Sequence, residues 1–189
     1  MVGLLLLAGG QSRRMGRDKA RLHGGVRRIL REAKAAGLSP RIVLAGPAPR
    51  GADLKRDGWL DEADDIIDDP EEATCLHDVL VAVLNGHLPP MILTPCDAVS
   101  VDQAMFTRLV SMGAGVPLDE EGRRQVLFSH LPEGWVAAPN AQRRTEALFE
   151  ALEDHGLGTE GVKLRTVNTP EEWAAMPSVQ PGRVDGNGP

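Results

Sequence analysis

The sequence predicts an α/β fold with a mostly parallel central sheet and right-handed crossovers. Short apolar runs alternate with segments of helical periodicity along most of the 189 residues, which is the pattern of repeated β–α units. Residues 2–8 form a continuous apolar run that ends at a glycine pair, as expected for a strand buried on both faces. Hydrophobic residues make up 42% of the chain and charged residues 25%. This composition and length suit one full core.

The first half of the chain carries the clearest elements. Ile29, Leu30 and Ala33 recur at helical spacing before Gly37, which predicts a helix that ends at this glycine. Further along the chain, a short apolar run that ends at a Gly-Pro turn predicts a strand. Apolar side chains that recur every three or four residues predict a helix. In order, the predictions are a helix from residue 26, a strand at 41–45, an irregular acidic segment at 50–72 with a short strand at 66–67, a helix at 76–84, a strand at 91–94 and a helix at 101–111.

The second half gives weaker patterns. Strands are predicted at residues 114–117, 125–130, 135–138 and 162–167, and a helix at 142–154. After the last strand, Thr169, Pro170 and Glu172 have the spacing of a capped helix start. We expect a single domain over residues 1–176 and a disordered, Gly- and Pro-rich tail at 177–189.

Charge and cysteine usage limit the possible functions. The formal net charge of −6 argues against broad nucleic-acid binding, which needs a wide basic face. The first apolar run is too short to span a bilayer, so no membrane partner is predicted. Cys75 and Cys96 lack the spacing of a metal site, which predicts reduced, buried thiols. A cytoplasmic enzyme is the simplest interpretation.

The segment after the first strand carries the strongest chemical signal. Glycines can let an anion approach backbone N–H groups, and nearby cations can offset its charge. In this acidic chain, such a cluster predicts a site for a small anion, with a solvated charge cluster as the alternative. The residues concerned are Gly9, Gly10, Gly16, Arg13, Arg14, Arg17 and Lys19.

Two common phosphate-binding motifs do not match this segment. A P-loop requires Gly-Lys followed by Ser or Thr, whereas Lys19 is preceded by Asp18 and followed by Ala20. The dinucleotide fingerprint G-x-G-x-x-G is not met by Gly9, Gly10 and Gly16 either. An ordinary NTPase loop and a hydride-transfer fold are therefore both excluded.

Residues 7–19, L-A-G-G-Q-S-R-R-M-G-R-D-K, resemble the signature of the MobA-like nucleotidyltransferase family, which includes molybdenum cofactor guanylyltransferases. Residues 66–69, 95–97 and 166–172 resemble three further family segments in the same order. The resemblance implies a three-layer α/β fold with Rossmann-like nucleotidyltransferase topology. It also implies Mg²⁺-dependent transfer of GMP from GTP to the phosphate of molybdopterin, with release of pyrophosphate.

The same resemblance implies roles for individual residues. Leu7, Ala8, Gly9 and Gly10 would hold the nucleotide together with Lys19, Asp69 and Asp97, and the family loop wraps the β- and γ-phosphates. Lys19, Arg14 and Asp97 would be catalytic, Asp97 would hold Mg²⁺, and Asn168 would approach the second substrate. Aspartate and asparagine also favour helix caps and turns, so a structural role for Asp69, Asp97 and Asn168 stays open.

The chemistry accounts for these residue types. An anionic phosphate must attack the α-phosphate of a triphosphate, so mutual repulsion is the first obstacle and cations are needed. The acceptor phosphate is already ionised, so alignment and electrostatics suffice and no protein nucleophile is required. The resemblance further implies transient contact with cofactor-biosynthesis proteins or molybdoenzymes. Arg143 and Arg144 either face the acceptor phosphate or belong to a solvated helix start.

Four departures from the family pattern stand in this sequence, and two of them, at residues 45–46 and 74–78, fall where the resemblance implies contact with the ribose or base. No proline follows Gly24 and Gly25, Ala45-Gly46 stands where asparagine is common, residues 74–78 replace the guanine-pocket segment G-P-L-A-G, and Ala98-Val99 follows Asp97. Triphosphate binding is therefore better supported than guanine recognition. The alternatives are a related enzyme acting with another base or acceptor, such as cytidylyl-molybdopterin, phospholactate or a sugar phosphate, and a degenerate, non-catalytic nucleotide-binding protein.

Overall fold

The computed structural model describes residues 1–9, 18–166 and 172. Its strands are β1 (Gly3–Leu7), β2 (Arg41–Gly46), β3 (Asp65–Asp68), β4 (Met91–Pro95), β5 (Val116–Leu118), β6 (His130–Leu131) and β7 (Asp154–Gly156). Its α-helices are α1 (Gly25–Ala35), α2 (Arg50–Arg56), α3 (Leu76–Val83) and α4 (Gln103–Ser111). Short 3₁₀ helices span Lys19–Gly24, Val126–Phe128, Glu146–Phe149 and Gly158–Leu164.

The central sheet has five strands in the order β3-β2-β1-β4-β6. Strands β1 to β4 are parallel, and only β6 runs antiparallel to its neighbour β4. Leu5 pairs with Ile42 on one side and with Leu93 on the other, so β1 occupies the middle of the sheet. The predicted mostly parallel α/β sheet is confirmed. A separate two-stranded parallel sheet joins β5 and β7.

Alternate residues of β1 pack on opposite faces of the sheet. Leu4 and Leu6 belong to the cluster that contains Ile29 and Phe106, from α1 and α4. Leu5 belongs to the other cluster, with Leu80 of α3 and Phe149. A strand that is apolar at every position can serve both faces because successive side chains point to opposite sides. Burying one such side chain contributes about 1.5–3 kcal/mol, so the leucine run stabilises all three layers.

Helix α1 agrees with its prediction. Val26, Ile29, Leu30 and Ala33 are fully buried along one face, as the helical spacing requires. Gly37 follows with a φ of 78°, and Leu38 N–H donates to the Ala33 carbonyl at 3.0 Å. Glycine adopts this left-handed conformation without a Cβ penalty, so the helix ends there.

The prediction of irregular structure throughout residues 50–72 is wrong at its start, where α2 forms. This helix has only seven residues and buries only Gly51 and Leu54. So short a helix gives no detectable apolar period, and packing rather than propensity stabilises it. The predicted strand at residues 66–67 is confirmed as the centre of β3.

Predictions in the second half need more correction. The strand expected at 125–130 is a 3₁₀ helix followed by the two-residue β6, and the helix expected at 142–154 is the 3₁₀ helix Glu146–Phe149 followed by β7. Residues 158–164 form a 3₁₀ helix where a strand was expected from residue 162, and residues 135–138 form only an isolated bridge, between Val136 and Asn85. Leu148 and Leu152 are nevertheless buried. Hydrophobicity correctly indicated their burial, whereas the backbone was decided by contacts distant in sequence.

No helix among the described residues is long and apolar enough to cross a membrane. The predicted tail at residues 177–189 and the predicted helix start at Thr169 lie outside the described residues.

Candidate active site

The strand order places a crevice between the carboxyl ends of β1 and β4. The chain passes from β1 to β2 on one side, and later returns from β3 to β4 on the other. Open α/β sheets bind ligands at such a switch in strand order. Leu7 pairs with Pro95, and Cys96 N–H donates to the Leu7 carbonyl at 2.9 Å. The residues that follow these strands, Gly9 and Asp97, therefore leave the sheet side by side.

Lys19 and Asp97 meet at this edge although 78 positions separate them in the chain. The Lys19 Nζ lies 2.8 Å from Asp97 Oδ2, and the two side chains are only 16% and 13% exposed. Partial burial weakens solvent screening, so the attraction exceeds that of a surface ion pair. Lys19 opens the 3₁₀ helix Lys19–Gly24, where the Asp18 carboxylate accepts from Ala20 N–H at 3.0 Å. The two predicted catalytic side chains thus share one location.

The main chain of Gly9 packs tightly against the end of β2. A Cβ on Gly9 would lie 3.0 Å from the Cα of Gly46, which itself has a φ of 96°. The same position is 3.6 Å from Asp69 Oδ1. A side chain at position 9 would press on the main chain of Gly46, so this close approach favours glycine. Asp69 consequently borders the main chain predicted to contact the nucleotide.

The Asp69 carboxylate is in an unfavourable environment for its charge. Burial, with the neighbouring Asp68 carboxylate adding to it, raises the pKa of Asp69, while the Arg50 guanidinium opposes the shift. Asp69 N–H donates to the Gly46 carbonyl at 2.9 Å, which fixes the backbone at this point. A carboxylate held at an energetic cost beside a glycine turn is typical of a functional site.

Arg50, at the start of α2, contacts three segments at this edge. Its Nε donates to the Ala45 carbonyl at 2.7 Å, and its Nη2 donates to the Ala8 carbonyl at 2.9 Å and to Asp18 Oδ1 at 2.7 Å. Sequence reasoning missed this residue. The available signal was its place directly after the Gly-Pro-Ala-Pro turn that ends β2, on the same edge as Gly9.

The turn that carries Asp97 is held from behind by Arg28 of α1. The two terminal nitrogens of Arg28 donate to the carbonyls of Ala98 at 2.6 Å and Val101 at 2.5 Å. Burial lowers the pKa of Arg28. The residue before Asp97 is Cys96, and burial raises the pKa of its thiol to about 12. Cys96 is therefore a neutral packing residue rather than a nucleophile. The prediction of buried thiols is wrong for Cys75, which is exposed at the start of α3.

A second polar cluster surrounds the start of α3, where the sequence departs from the family's guanine-pocket segment. Asp78 accepts from Thr74 N–H and from Arg143 Nε, both at 2.9 Å, and Arg143 Nη2 makes a further contact. The Thr74 amide, followed by the Arg143 guanidinium, holds the pKa of Asp78 far below its usual range. Arg143 therefore pairs with a carboxylate, instead of facing only solvent.

Cys75, His77 and Asp78 are close enough together to suggest a metal site. The contacts of His77 oppose that interpretation. Its Nε2 lies 3.4 Å from Asn140 N–H and its Nδ1 lies 3.3 Å from Asp78 Oδ1. Both ring nitrogens of His77 therefore have protein partners, and Arg143 neutralises the Asp78 carboxylate. These groups bind one another rather than a metal ion. The hydrogen bonds of this cluster hold the start of α3 in place.

The other predicted site residues divide into two groups. Leu7 and Ala8 are buried at the end of β1, directly before Gly9. The second group lies outside the described residues, so its predicted roles stay predictions: Gly10, Arg13, Arg14, Gly16, Arg17 and Asn168.

Comparison with known proteins gives a family match over most of the chain. The model of the MobA-like NTP transferase domain matches residues 4–161, a span that includes all but the first residue of β1, together with Lys19, Asp69 and Asp97. A search of curated protein sequences finds no significant match.

Several solved structures share this fold. A nucleotidyl transferase from Methanothermobacter thermautotrophicus has a TM-score of 0.63 at 15% identity, covering 92% of this chain and 94% of that chain. A 4-diphosphocytidyl-2C-methyl-D-erythritol synthase from Anaerococcus prevotii has a TM-score of 0.57 at 12% identity, covering 92% and 95%. A manganese complex of Rv0371c from Mycobacterium tuberculosis has a TM-score of 0.50 at 15% identity, covering 83% and 87%.

At these identities the solved structures establish a shared fold, a mixed α/β architecture around a mostly parallel sheet. The family match carries the assignment further because it extends over the strand ends where the candidate site lies. The chain belongs to the MobA-like NTP transferase domain family.

Proposed function

We propose that this nucleotidyltransferase transfers GMP from GTP to the phosphate of molybdopterin and releases pyrophosphate. The observation that carries the proposal is the Lys19–Asp97 pair at the β1–β4 crevice, 2.8 Å apart and mostly withdrawn from solvent. A cation and a carboxylate beside a glycine turn suit a triphosphate and its counter-ion. The family's name supports the triphosphate, and the acceptor is the finer part of the proposal.

The proposed step is an in-line displacement at phosphorus. An oxygen of the acceptor phosphate forms a bond to the α-phosphorus as the bond from that phosphorus to the β-bridging oxygen breaks, and pyrophosphate leaves with the electron pair. Lys19 offsets charge on the departing pyrophosphate, and Gly9 lets the phosphates approach the main chain. The neutral Cys96 thiol is consistent with direct transfer, without a covalent enzyme intermediate.

The donor chemistry at the crevice fits a divalent metal ion. Asp97 offers a partly buried carboxylate, the hard oxygen donor that Mg²⁺ and Mn²⁺ prefer, and substrate phosphates usually complete such a shell. The manganese complex among the related folds is compatible with this assignment. When bound, the ion would neutralise phosphate charge. In our proposal Asp97 holds it, and Lys19 remains near enough to contact the same phosphates.

The proposal also includes a cytoplasmic location and contact with proteins that supply or receive the cofactor. Cys75 and Cys96 are both free, as is usual in a reducing compartment. A related reaction with another base or acceptor is the second candidate. It is favoured by the Thr74–Asp78–Arg143 contacts, which occupy the polar groups at the position of the family's guanine-pocket segment.

The test measures pyrophosphate release by the whole protein with each of the four nucleoside triphosphates, combined with molybdopterin, phospholactate or a sugar phosphate. We expect release with GTP and molybdopterin, loss of activity in EDTA and recovery on adding Mg²⁺ or Mn²⁺. Activity with CTP or with another acceptor would support the second candidate instead. Nucleotide-dependent thermal stabilisation without release in any combination would indicate a non-catalytic binding protein.

A further inference from the structure

The contacts of Arg50 connect the end of β1 with the helix that carries Lys19. One guanidinium reaches the Ala8 carbonyl, the Ala45 carbonyl and the Asp18 carboxylate, at 2.7–2.9 Å. Its three acceptors come from the residue that follows β1, from β2, and from the N-cap of the 3₁₀ helix Lys19–Gly24. The planar, branched arginine head can satisfy several acceptors at once, whereas the lysine ammonium is a single point charge.

The Asp18 carboxylate connects Arg50 to the backbone on either side of Lys19. The carboxylate that accepts from Arg50 also accepts from Ala20 N–H at 3.0 Å, so it caps the short helix. Lys19 lies between these two bonded positions, and its ammonium reaches Asp97 on the far side of the crevice. The backbone of Lys19 is thereby anchored relative to β1 and β2, independently of the ion pair its side chain makes.

Arg50 also lowers the electrostatic penalty of having Asp18 at this edge. An unpaired carboxylate next to Lys19 would repel a bound triphosphate. Arg50 Nη2 lies 2.7 Å from Asp18 Oδ1, and Arg21 Nε lies 3.6 Å from Asp18 Oδ2. The side chains of Arg50 and Asp18 are 23% and 28% exposed, so partial burial limits solvent screening of their attraction.

We propose that Arg50 is a positioning residue for nucleotidyl transfer, which holds Lys19 and the β1 strand end in the geometry that the triphosphate requires. This inference rests on the proposed function. It assigns two separable effects to one side chain. The bridge between Ala8, Ala45 and Asp18 maintains alignment and so affects kcat, and the charge on Arg50 cancels that of Asp18 and so affects the KM for the nucleotide.

The test compares Arg50→Gln, Arg50→Lys and Arg50→Gln/Asp18→Asn with the wild type, after circular dichroism and thermal melting have shown that each variant is folded. We expect Arg50→Gln to lower kcat about 10²-fold, the effect of roughly 1 Å of misalignment, and to raise KM. In the double variant, Asp18→Asn removes the carboxylate charge that Arg50 no longer cancels. The KM for the nucleotide therefore returns toward the wild-type value, while kcat stays low. Arg50→Lys preserves KM but not kcat, because it keeps the charge and loses the bridge.

Arg56→Gln is the matched control, because Arg56 lies on the same helix, pairs with Asp53 at 2.8 Å and is 71% exposed. It should behave like the wild type. If Arg50→Gln only lowers the melting temperature, with kcat and KM equal to those of Arg56→Gln, the inference is overturned and the proposed function stands. If the wild type neither releases pyrophosphate nor is stabilised by any triphosphate, the proposed function itself fails.

Discussion

The two polar clusters at the carboxyl edge of the sheet differ in how their charges are partnered. In the crevice between β1 and β4, Asp97 makes one close ion pair within the described part of the chain, with Lys19. At the start of α3, Asp78 accepts from the backbone and hydroxyl of Thr74 and from two nitrogens of Arg143. In our proposal a triphosphate and its metal ion supply opposite charges to both members of the first pair, which offsets the loss of their mutual attraction. The second is already satisfied, and breaking it leaves a charged group without its donors.

This difference separates the phosphate end of the proposed substrate from its base end. The crevice keeps the residue types that resemble the family signature, Gly9, Lys19 and Asp97. The α3 cluster consists of side chains that bind one another, at the residues where the family resemblance implies a guanine-pocket segment. We therefore expect substitutions in the crevice to affect turnover, and substitutions in the α3 cluster to affect stability. The three predictions below test this separation, from the largest expected effect to the smallest.

The largest effect is expected from Lys19→Ala and Asp97→Ala. Each should lower kcat about 10³-fold, because each removes a group that offsets or anchors phosphate charge at the reacting centre. Turnover is measured as pyrophosphate release at saturating nucleotide, with circular dichroism to confirm the fold.

The matched control for this pair is Lys34→Ala. Lys34 forms an ion pair of similar length, 2.6 Å, with Glu62, away from the crevice. Its loss should leave turnover unchanged, because an exposed pair contributes at most about 1 kcal/mol to stability. Near-normal transfer by Lys19→Ala or Asp97→Ala would remove that residue from the mechanism.

Asp69→Asn should have opposite effects on activity and stability. Burial and Asp68 raise the pKa of Asp69, so its ionised form is unfavourable in the folded protein at every pH above that pKa. A neutral amide removes the penalty, and the melting temperature at pH 7 should rise. If Asp69 bonds the nucleotide, kcat/KM should fall about tenfold, the equivalent of one hydrogen bond.

The stability gain of Asp69→Asn should also disappear in acid, because the wild-type carboxyl becomes protonated below its raised pKa. Melting curves of the wild type and of Asp69→Asn, recorded at pH 7 and below pH 4, measure the stability gain at each pH. A melting temperature that falls at neutral pH would contradict the environment inferred for Asp69.

Asp78→Asn should alter stability with little change in turnover. The pKa of Asp78 is held far below its usual value by Thr74 and Arg143. A depressed carboxylate pKa contributes stability that is fully present above the unfolded-state pKa, about 3.9, and is lost as the pH falls below it. The melting temperature of the variant should be lower than that of the wild type at pH 7. This difference should narrow progressively below about pH 4.

The measurement is thermal unfolding of both proteins across that range, alongside pyrophosphate release at pH 7. A large fall in turnover with unchanged melting would show that the α3 cluster belongs to the substrate site after all.

The parts of the fold that the sequence predicted well have strong local patterns. The short apolar run of β1 ends at a glycine pair, which indicates a buried strand, and the helical spacing of the α1 stripe before Gly37 indicates a helix. Helix α2 and the segments after residue 113 lack such a signal, because they are short and gain their stability from distant contacts. Gly161, for example, lies against the backbone of Asp119, where a Cβ would come within 2.7 Å.

For the candidate site, the resemblance to the family's motifs nominated Gly9, Lys19, Asp69 and Asp97. The structure shows why these positions meet, because strand ends of a parallel sheet share one edge. Arg50 could not be nominated from spacing. Its importance arises from three acceptors in three separate segments, and no local pattern encodes such a meeting.

The sequence by itself determined that the chain builds a parallel α/β sheet and presents a glycine-rich, cationic segment at the end of its first strand. Backbone periodicity and glycine chemistry are local properties, so they can be deduced from neighbouring residues. Only the tertiary structure decided that Lys19 meets Asp97 across the crevice, that Arg50 ties Ala8 to Asp18, and that Arg143 neutralises Asp78. Charge pairing depends on distance in space rather than along the chain, and folding alone sets those distances.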